Sequence, residues 1–216
     1  MPRFFVEEIP EGEVYLGGED GRHVAKSLRM RPGETLTLCD GQGWDYPCTL
    51  VSTDGEGALV RVEDRQPSRG EPRTKVTVCQ CLAKGDKLDT VTQKSVELGA
   101  WEIWPVESSR CVVRLDGKSA GKKTARLQKI AREAAMQSGR GAIPRVLEPA
   151  PLKQALETAA KKGEILFFYE RGEESLKAAL TNCGERLFVF VGPEGGVSPE
   201  EAELARALGG KLLTLG

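Results

Sequence analysis

One stretch of this sequence gathers residues that chemistry can use. In "RLFVFVGPEGGVSPEEAELARAL", residues 186–208, an apolar run from Leu187 to Val191 breaks on Gly192-Pro193-Glu194-Gly195-Gly196. Glycines let a main chain approach a ligand closely, and the one carboxylate among them, Glu194, can take a proton or a hydrogen bond. Ser198, Pro199 and Glu201 follow as an N-cap, a first-turn proline and a capping-box acid, so a helix starts at once. A tight strand-to-helix turn needs fewer special residues. The excess predicts a ligand loop, against the plainer reading of glycines serving a turn at positive φ.

Other reactive side chains are few. His23 is the only histidine, which removes most zinc sites and any triad needing a histidine elsewhere. The six cysteines, at 39, 48, 79, 81, 111 and 183, form no Cys-x-x-Cys pair. Cys79 and Cys81 share one face of an apolar strand and are expected as buried thiols in a reducing cytoplasm, with no metal. Net charge is −1 and the pI about 6.1, which argues against a generally adhesive nucleic-acid binder. Charge is uneven, however. Residues 21–31 hold Arg22, Lys26, Arg29 and Arg31 and no acid, and residues 110–145 hold ten Lys or Arg against Asp116 and Glu133. Local basic patches on a near-neutral chain suit RNA, with solvated helix faces as the bland alternative.

The elements that must position these residues fall into two rhythms. Residues 1–70 read as mostly β, with strands in "RFFVE", "ETLTLCD", "YPCTLVST" and "GALVRVED" and one short helix, "GRHVAKSLRM", in which Leu28 and Met30 face the core. That spacing predicts a small barrel, closed off by the polar linker "RQPSRGEPR". Residues 71–216 alternate strand and helix, which means βαβ units and a parallel sheet. Leu187–Val191 is apolar on both faces, as a central parallel strand should be. The glycine loop then lies at the carboxyl end of that strand, where α/β folds bind ligands. It lacks the Gly-Lys-Ser/Thr of a Walker loop, and the first α/β strand is followed by "AKGDK" rather than a dinucleotide fingerprint. No apolar run reaches membrane length, and acids and prolines interrupt the N-terminus too early for a signal peptide.

Four stretches in this order, "HVAKSLRMRPGE", "KGDKLDTVTQKSVELGAWEIWPVESSRCVV", "KIAREAAMQSGRGAIPRV" and "VGPEGGVSPEE", resemble the RsmE family. These are bacterial methyltransferases of the SPOUT superfamily that make N3-methyluridine in 16S rRNA. The resemblance runs from Arg3 to Gly216. It implies an N-terminal PUA-like RNA-binding barrel and a C-terminal α/β domain with a trefoil knot. It also implies a cytoplasmic homodimer holding S-adenosylmethionine among three loops: the one after "LFFYE", "GPEGG", and one beginning at Leu215-Gly216. The family usually carries a glutamate where this chain has Met136, and continues past the leucine-glycine pair with an arginine-rich segment and a helix. This sequence stops at Gly216, so the knot-threading piece is expected beyond it.

Methylating uracil N3 requires loss of the imide proton, by a base or with help from cations. Arg140, just past a long helix, is the expected cation, with a surface arginine favoured near a helix C-terminus as the alternative. Glu194 is the candidate base or a cofactor contact, with an acid favoured near a helix N-terminus as the alternative. Expected cofactor contacts are Tyr169, Glu170, Val191, Gly192, Gly195, Gly196, Leu213, Leu215 and Gly216. Expected RNA contacts, mainly to phosphates, are Arg3, Arg22, His23, Lys26, Arg29 and Arg31 of the β domain. Two rivals stand beside this reading: a non-catalytic RNA-binding or ribosome-assembly protein, and a small-molecule α/β enzyme.

Overall fold

The computed structural model of the protein describes residues 1–181 and 183–214. The chain divides into two compact units. Unit 1 is Met1–Glu71 with Ala135–Ile143, and unit 2 is Pro72–Ala134 with Pro144–Gly216. A cut at residues 70 and 71 therefore leaves out the second piece of unit 1, the segment that carries Arg140.

Unit 1 contains β1 (Arg3–Phe5), β2 (Glu13–Leu16), α1 (Gly18–Arg22), a π-helical turn (His23–Ser27), β3 (Thr35–Cys39), β4 (Trp44–Thr53), β5 (Ala58–Val62) and β6 (Gln66–Pro67). The sheet runs β1-β3-β4-β5-β2, with β6 on β4. Its two end strands, β1 and β2, do not pair among the described residues, so the expected barrel is an open, curled half-barrel. Phe4, Val14, Leu16, Val24, Leu36, Leu38, Leu50 and Val60 form its core. Met30 packs against that core, but Leu28 is 40% exposed, contrary to expectation. The cause is the π-turn: Leu28 N–H donates to the carbonyl of His23 five residues back, and the wider turn rotates Leu28 off the face of Val24. Part of the stretch expected as a linker forms β6, which pairs Pro67 with Trp44 and Gln66 with Asp45.

Unit 2 contains β7 (Lys75–Cys81), α2 (Lys87–Glu97), β8 (Glu102–Glu107), most of α3 (Gly117–Gln137), β9 (Arg145–Val146), β10 (Ala150–Pro151), α4 (Leu152–Ala160), β11 (Glu164–Phe168), β12 (Glu174–Ser175), α5 (Leu176–Ala179), β13 (Arg186–Val191), α6 (Pro199–Ala207) and β14 (Lys211–Thr214). The sheet order is β10-β8-β7-β13-β11-β14-β12, with β9 on β8, and every pairing is parallel. β13 lies between β7 and β11, and Phe188 and Phe190 are buried. Phe190 stacks on Phe167 of β11 at 5.9 Å between centroids. Each such buried ring contributes about 1.5–3 kcal/mol, which fixes the strand from which the glycine loop leaves. The chain order steps one way from β7 to β8 and the other way from β13 to β14. The crevice at the carboxyl ends of β7 and β13 is therefore a topological switch point, the place where open α/β sheets bind ligands. The implied knot and the cofactor loop at Leu215 and Gly216 lie outside the described residues.

Candidate functional site

The glycine loop is held at both ends. At its start, the amide of Gln80, a buried residue in β7, donates to the carbonyls of Val191 and Gly192 at 3.4 and 3.3 Å. At its end, the expected capping box is present: Ser198 Oγ accepts from Glu201 N–H at 3.2 Å, and Glu201 Oε2 accepts from Ser198 N–H at 3.0 Å. The other oxygen of Glu201 accepts from Ser109 N–H at 2.7 Å, tying the loop after β8 to the start of α6.

The three glycines differ in kind. Gly196 adopts φ +71°, a region that disfavours side chains whatever the surrounding space. Gly192 and Gly195 are outside the left-handed region. A Cβ built on either would meet its nearest neighbours at 3.5 and 3.7 Å, ordinary contact distance. The fold of the chain therefore requires glycine at 196 and leaves 192 and 195 free to carry alanine.

Three loops converge on this point. A Cβ at Gly196 would lie 3.4 Å from a carboxylate oxygen of Glu170, at the end of β11, and 3.8 Å from Nη1 of Arg110, in the loop after β8. Arg110 Nη1 donates to the carbonyl of Gly195 at 3.1 Å. Tyr169 N–H donates to the carbonyl of Leu213 at 2.9 Å, which places the loop after β11 beside the end of β14. Tyr169, Glu170, Val191, Gly192, Gly195, Gly196 and Leu213 thus share the carboxyl edge of one sheet; Leu213 itself is fully buried.

Glu194 is bound by Lys87 Nζ at 2.8 Å and by Lys84 N–H at 3.4 Å. The hydrogen bond from Lys87, with backbone donors behind it, lowers its carboxyl to about 2. These bonds fasten Glu194 between the loops after β7 and β13.

Arg140 belongs to unit 1 and is 4% exposed. Its Nε and Nη2 donate to the two oxygens of Glu71 at 3.1 and 2.6 Å. Glu71 Oε1 also accepts from Gly141 and Ala142 N–H at 3.0 and 3.2 Å. Burial works to raise the Glu71 carboxyl, but Arg140 outweighs it and the group stands below its usual range. Arg140, the expected cation, is thus buried and paired with a carboxylate 69 residues away in sequence.

Of the expected RNA contacts, Arg3 is likewise committed. It is paired with Asp45 at 2.6 Å, with its side chain 14% exposed. Arg22, His23, Lys26, Arg29 and Arg31 are exposed. Glu56 draws Lys26 to 2.8 Å and Arg22 to 3.6 Å, both as surface pairs. Arg29 follows the π-turn at φ +50°, the one positive φ outside glycine among the described residues.

Sequence reasoning missed Arg110, Gln80, Lys87 and Glu71. Arg110 stood inside the basic stretch already noted, whereas nothing local marked the other three. No group of three or more His, Cys, Asp or Glu among the described residues could hold a metal ion, and none of their helices is long and apolar enough to cross a membrane.

The comparisons agree with this arrangement. An RNA methyltransferase domain family matches residues 70–216, and an RNA methyltransferase PUA domain family matches residues 16–63. Ribosomal RNA small subunit methyltransferase E of Bacillus subtilis is 36% identical over 217 residues, covering 94% of this chain and 84% of that protein. The protein of the same name from Mycobacterium bovis is 32% identical over 219 residues, covering 99% and 83%. The crystal structure of a ribosomal RNA small subunit methyltransferase E from Neisseria gonorrhoeae, bound to S-adenosyl methionine, aligns with a TM-score of 0.89 at 35% identity, over 100% of this chain and 89% of that one. With its parallel sheet, switch-point glycine loop and appended half-barrel, this chain belongs to the ribosomal RNA small subunit methyltransferase E family.

Proposed function

We propose that this chain methylates N3 of a uridine in the 16S rRNA of the small ribosomal subunit, using S-adenosylmethionine, as a cytoplasmic homodimer. The observation that carries the reading is the pair Gly192 and Gly195. Neither needs glycine for its own backbone, and a side chain at either would fit the chain as it stands. A ligand lying against the main chain accounts for both, and the loop sits at the sheet's switch point. The relatives' names and the bound S-adenosyl methionine of the Neisseria gonorrhoeae protein supply its identity.

S-adenosylmethionine, when bound, supplies an electrophilic methyl group on a sulfonium. The residues proposed to hold it are Gly192, Gly195 and Gly196 through their main chain, with Tyr169, Glu170, Val191 and Leu213 around them. Leu215 and Gly216 complete that set in the segment beyond the described residues. Unit 1 is proposed to hold the RNA through Arg22, Lys26, Arg29 and Arg31, which position phosphates without reading sequence, with His23 beside them. Arg3 and Arg140 then serve as buried pairs that shape unit 1.

The test is methyl incorporation from labelled S-adenosylmethionine into small ribosomal subunits from a strain lacking the modification, followed by nucleoside analysis. Labelled 3-methyluridine is the expected product. Cofactor binding without incorporation, or label on a different base, would refute the assignment.

A further inference from the structure

We propose that Arg110 is a catalytic residue: the cation that meets the uracil imide as its N3 proton leaves. The inference rests on the proposed N3 chemistry and extends it to a residue that sequence reasoning did not assign.

The loop that carries Arg110 is fastened on both sides of that residue. Ser108 N–H and Oγ contact Cys111 Sγ at 3.4 and 3.3 Å, and both residues are buried. Ser109 is tied to Glu201, and Arg114 is tied to the carbonyl of Ser109 and to Glu107. Arg110 is exposed, and its one hydrogen bond among the described residues goes to the carbonyl of Gly195. Among the described residues no carboxylate lies within ion-pair distance of it, although its charge is felt at longer range by Glu200. Glu170 lies nearby: a Cβ at Gly196 would stand 3.4 Å from its carboxylate oxygen and 3.8 Å from Arg110 Nη1. A guanidinium free of any close carboxylate therefore lies against the loop where the methyl donor is proposed to sit. Of the other cations near that edge, Lys87 is held by Glu194 and Arg114 by Glu107, while Lys84 and Arg171 are exposed and make no side-chain hydrogen bond to the glycine loop among the described residues.

The chemistry calls for such a group. The imide proton of uracil passes to water, leaving negative charge shared between N3 and the flanking carbonyl oxygens. The N3 electron pair then attacks the methyl carbon, the carbon–sulfur bond breaks, and its pair stays on sulfur as a neutral thioether. A guanidinium facing a flanking oxygen favours the anion, and so raises the reactive fraction near neutral pH.

The experiment uses the full chain with unmodified small ribosomal subunits and saturating S-adenosylmethionine. Single-turnover rates are measured across pH for the wild type, Arg110→Gln and Arg110→Lys, and cofactor affinity is measured by calorimetry. Removing one such donor costs roughly 100-fold in rate. Arg110→Gln should lose about that much near neutral pH and keep cofactor affinity within about threefold, which is under 1 kcal/mol. Its rate should also go on climbing to more alkaline pH than the wild type before levelling, with Arg110→Lys in between. A rate and pH profile that match the wild type, or a loss that follows cofactor affinity alone, would overturn the assignment while leaving N3 chemistry standing. A wild-type product methylated at another atom would overturn both.

Discussion

The pair of Glu71 and Arg140 gives the sharpest energetic prediction. In Glu71→Ala, Arg140 keeps its charge at 4% exposure and loses both carboxylate bonds, at 3.1 and 2.6 Å. Gly141 and Ala142 N–H lose the same acceptor. Breaking a buried pair by removing one partner costs about 3–5 kcal/mol. The Glu71 side chain is 22% exposed, so water can reach part of the gap, and the expected cost falls at the lower end, about 3 kcal/mol. Urea unfolding of the two proteins reads the difference, and amide exchange at Gly141 and Ala142 localises it. Replacing both partners by apolar residues, Glu71→Leu with Arg140→Met, should recover most of the loss, since a buried charge is then no longer stranded. A cost below about 1 kcal/mol for Glu71→Ala, with exchange unchanged, would mean that the pair does not hold this segment.

Three further outcomes follow from the same geometry. Gly195→Ala should leave thermal unfolding unchanged, because its Cβ meets nothing closer than 3.7 Å, yet weaken calorimetric binding of S-adenosylmethionine at least about tenfold; Gly196→Val is a poorer probe, since φ +71° strains any side chain there. Arg29→Glu with Arg31→Glu should lower RNA affinity and reduce the slope of log K against log salt by about 2, while cofactor affinity holds; an unchanged slope would make the patch a solvated face. Glu71 and Asp45 both stand below their ordinary values of 4.5 and 3.8. For Asp45, too, burial works upward and is outweighed by its hydrogen bonds, from Arg3 first. Depressed carboxyls stabilise the fold fully above their unfolded pKa, so unit 1 should lose stability as pH falls from about 5 through the folded values, and Glu71→Gln should flatten that loss in acid melts.

What was legible in the sequence was local. The capping box of Ser198 and Glu201 needs three residues of separation, and the two-sided apolar run of β13 needs five, so both could be read directly. The short β2 could not: Val14 and Leu16 alternate with exposed Glu13 and Tyr15 over only four residues, inside an acidic stretch. Nor could β12, which precedes the short α5, because Glu174 and Ser175 pair with Leu213 and Thr214 far along the chain. Within the site, the glycine loop was visible through its composition. Its supports were not, since Gln80 reaches Gly192 across 112 residues and Lys87 reaches Glu194 across 107. A side chain whose partner is that distant carries no periodic signal.

The two arginines differ in a way that residue type alone does not show. Both stand in the basic stretch that composition marks, and both lie near glycines. What separates them is commitment. Arg140 is enclosed, with a carboxylate on its fork and Glu71 also capping the next two amides, and such a group holds a shape but has no charge left to offer. Met136, where the family usually has a glutamate, packs against the core of unit 1 and secures the same segment by apolar contact. The segment 135–143 is thus mounted from two sides, and a mounting arginine cannot also release its partner to meet a transient anion without the cost worked out above. Arg110 meets the opposite conditions: an exposed guanidinium, a fastened loop, and only a neutral carbonyl as partner. Exchanging that carbonyl bond for an anion gains charge–charge attraction and strands nothing, which is the energetic condition for a group that acts only as charge develops.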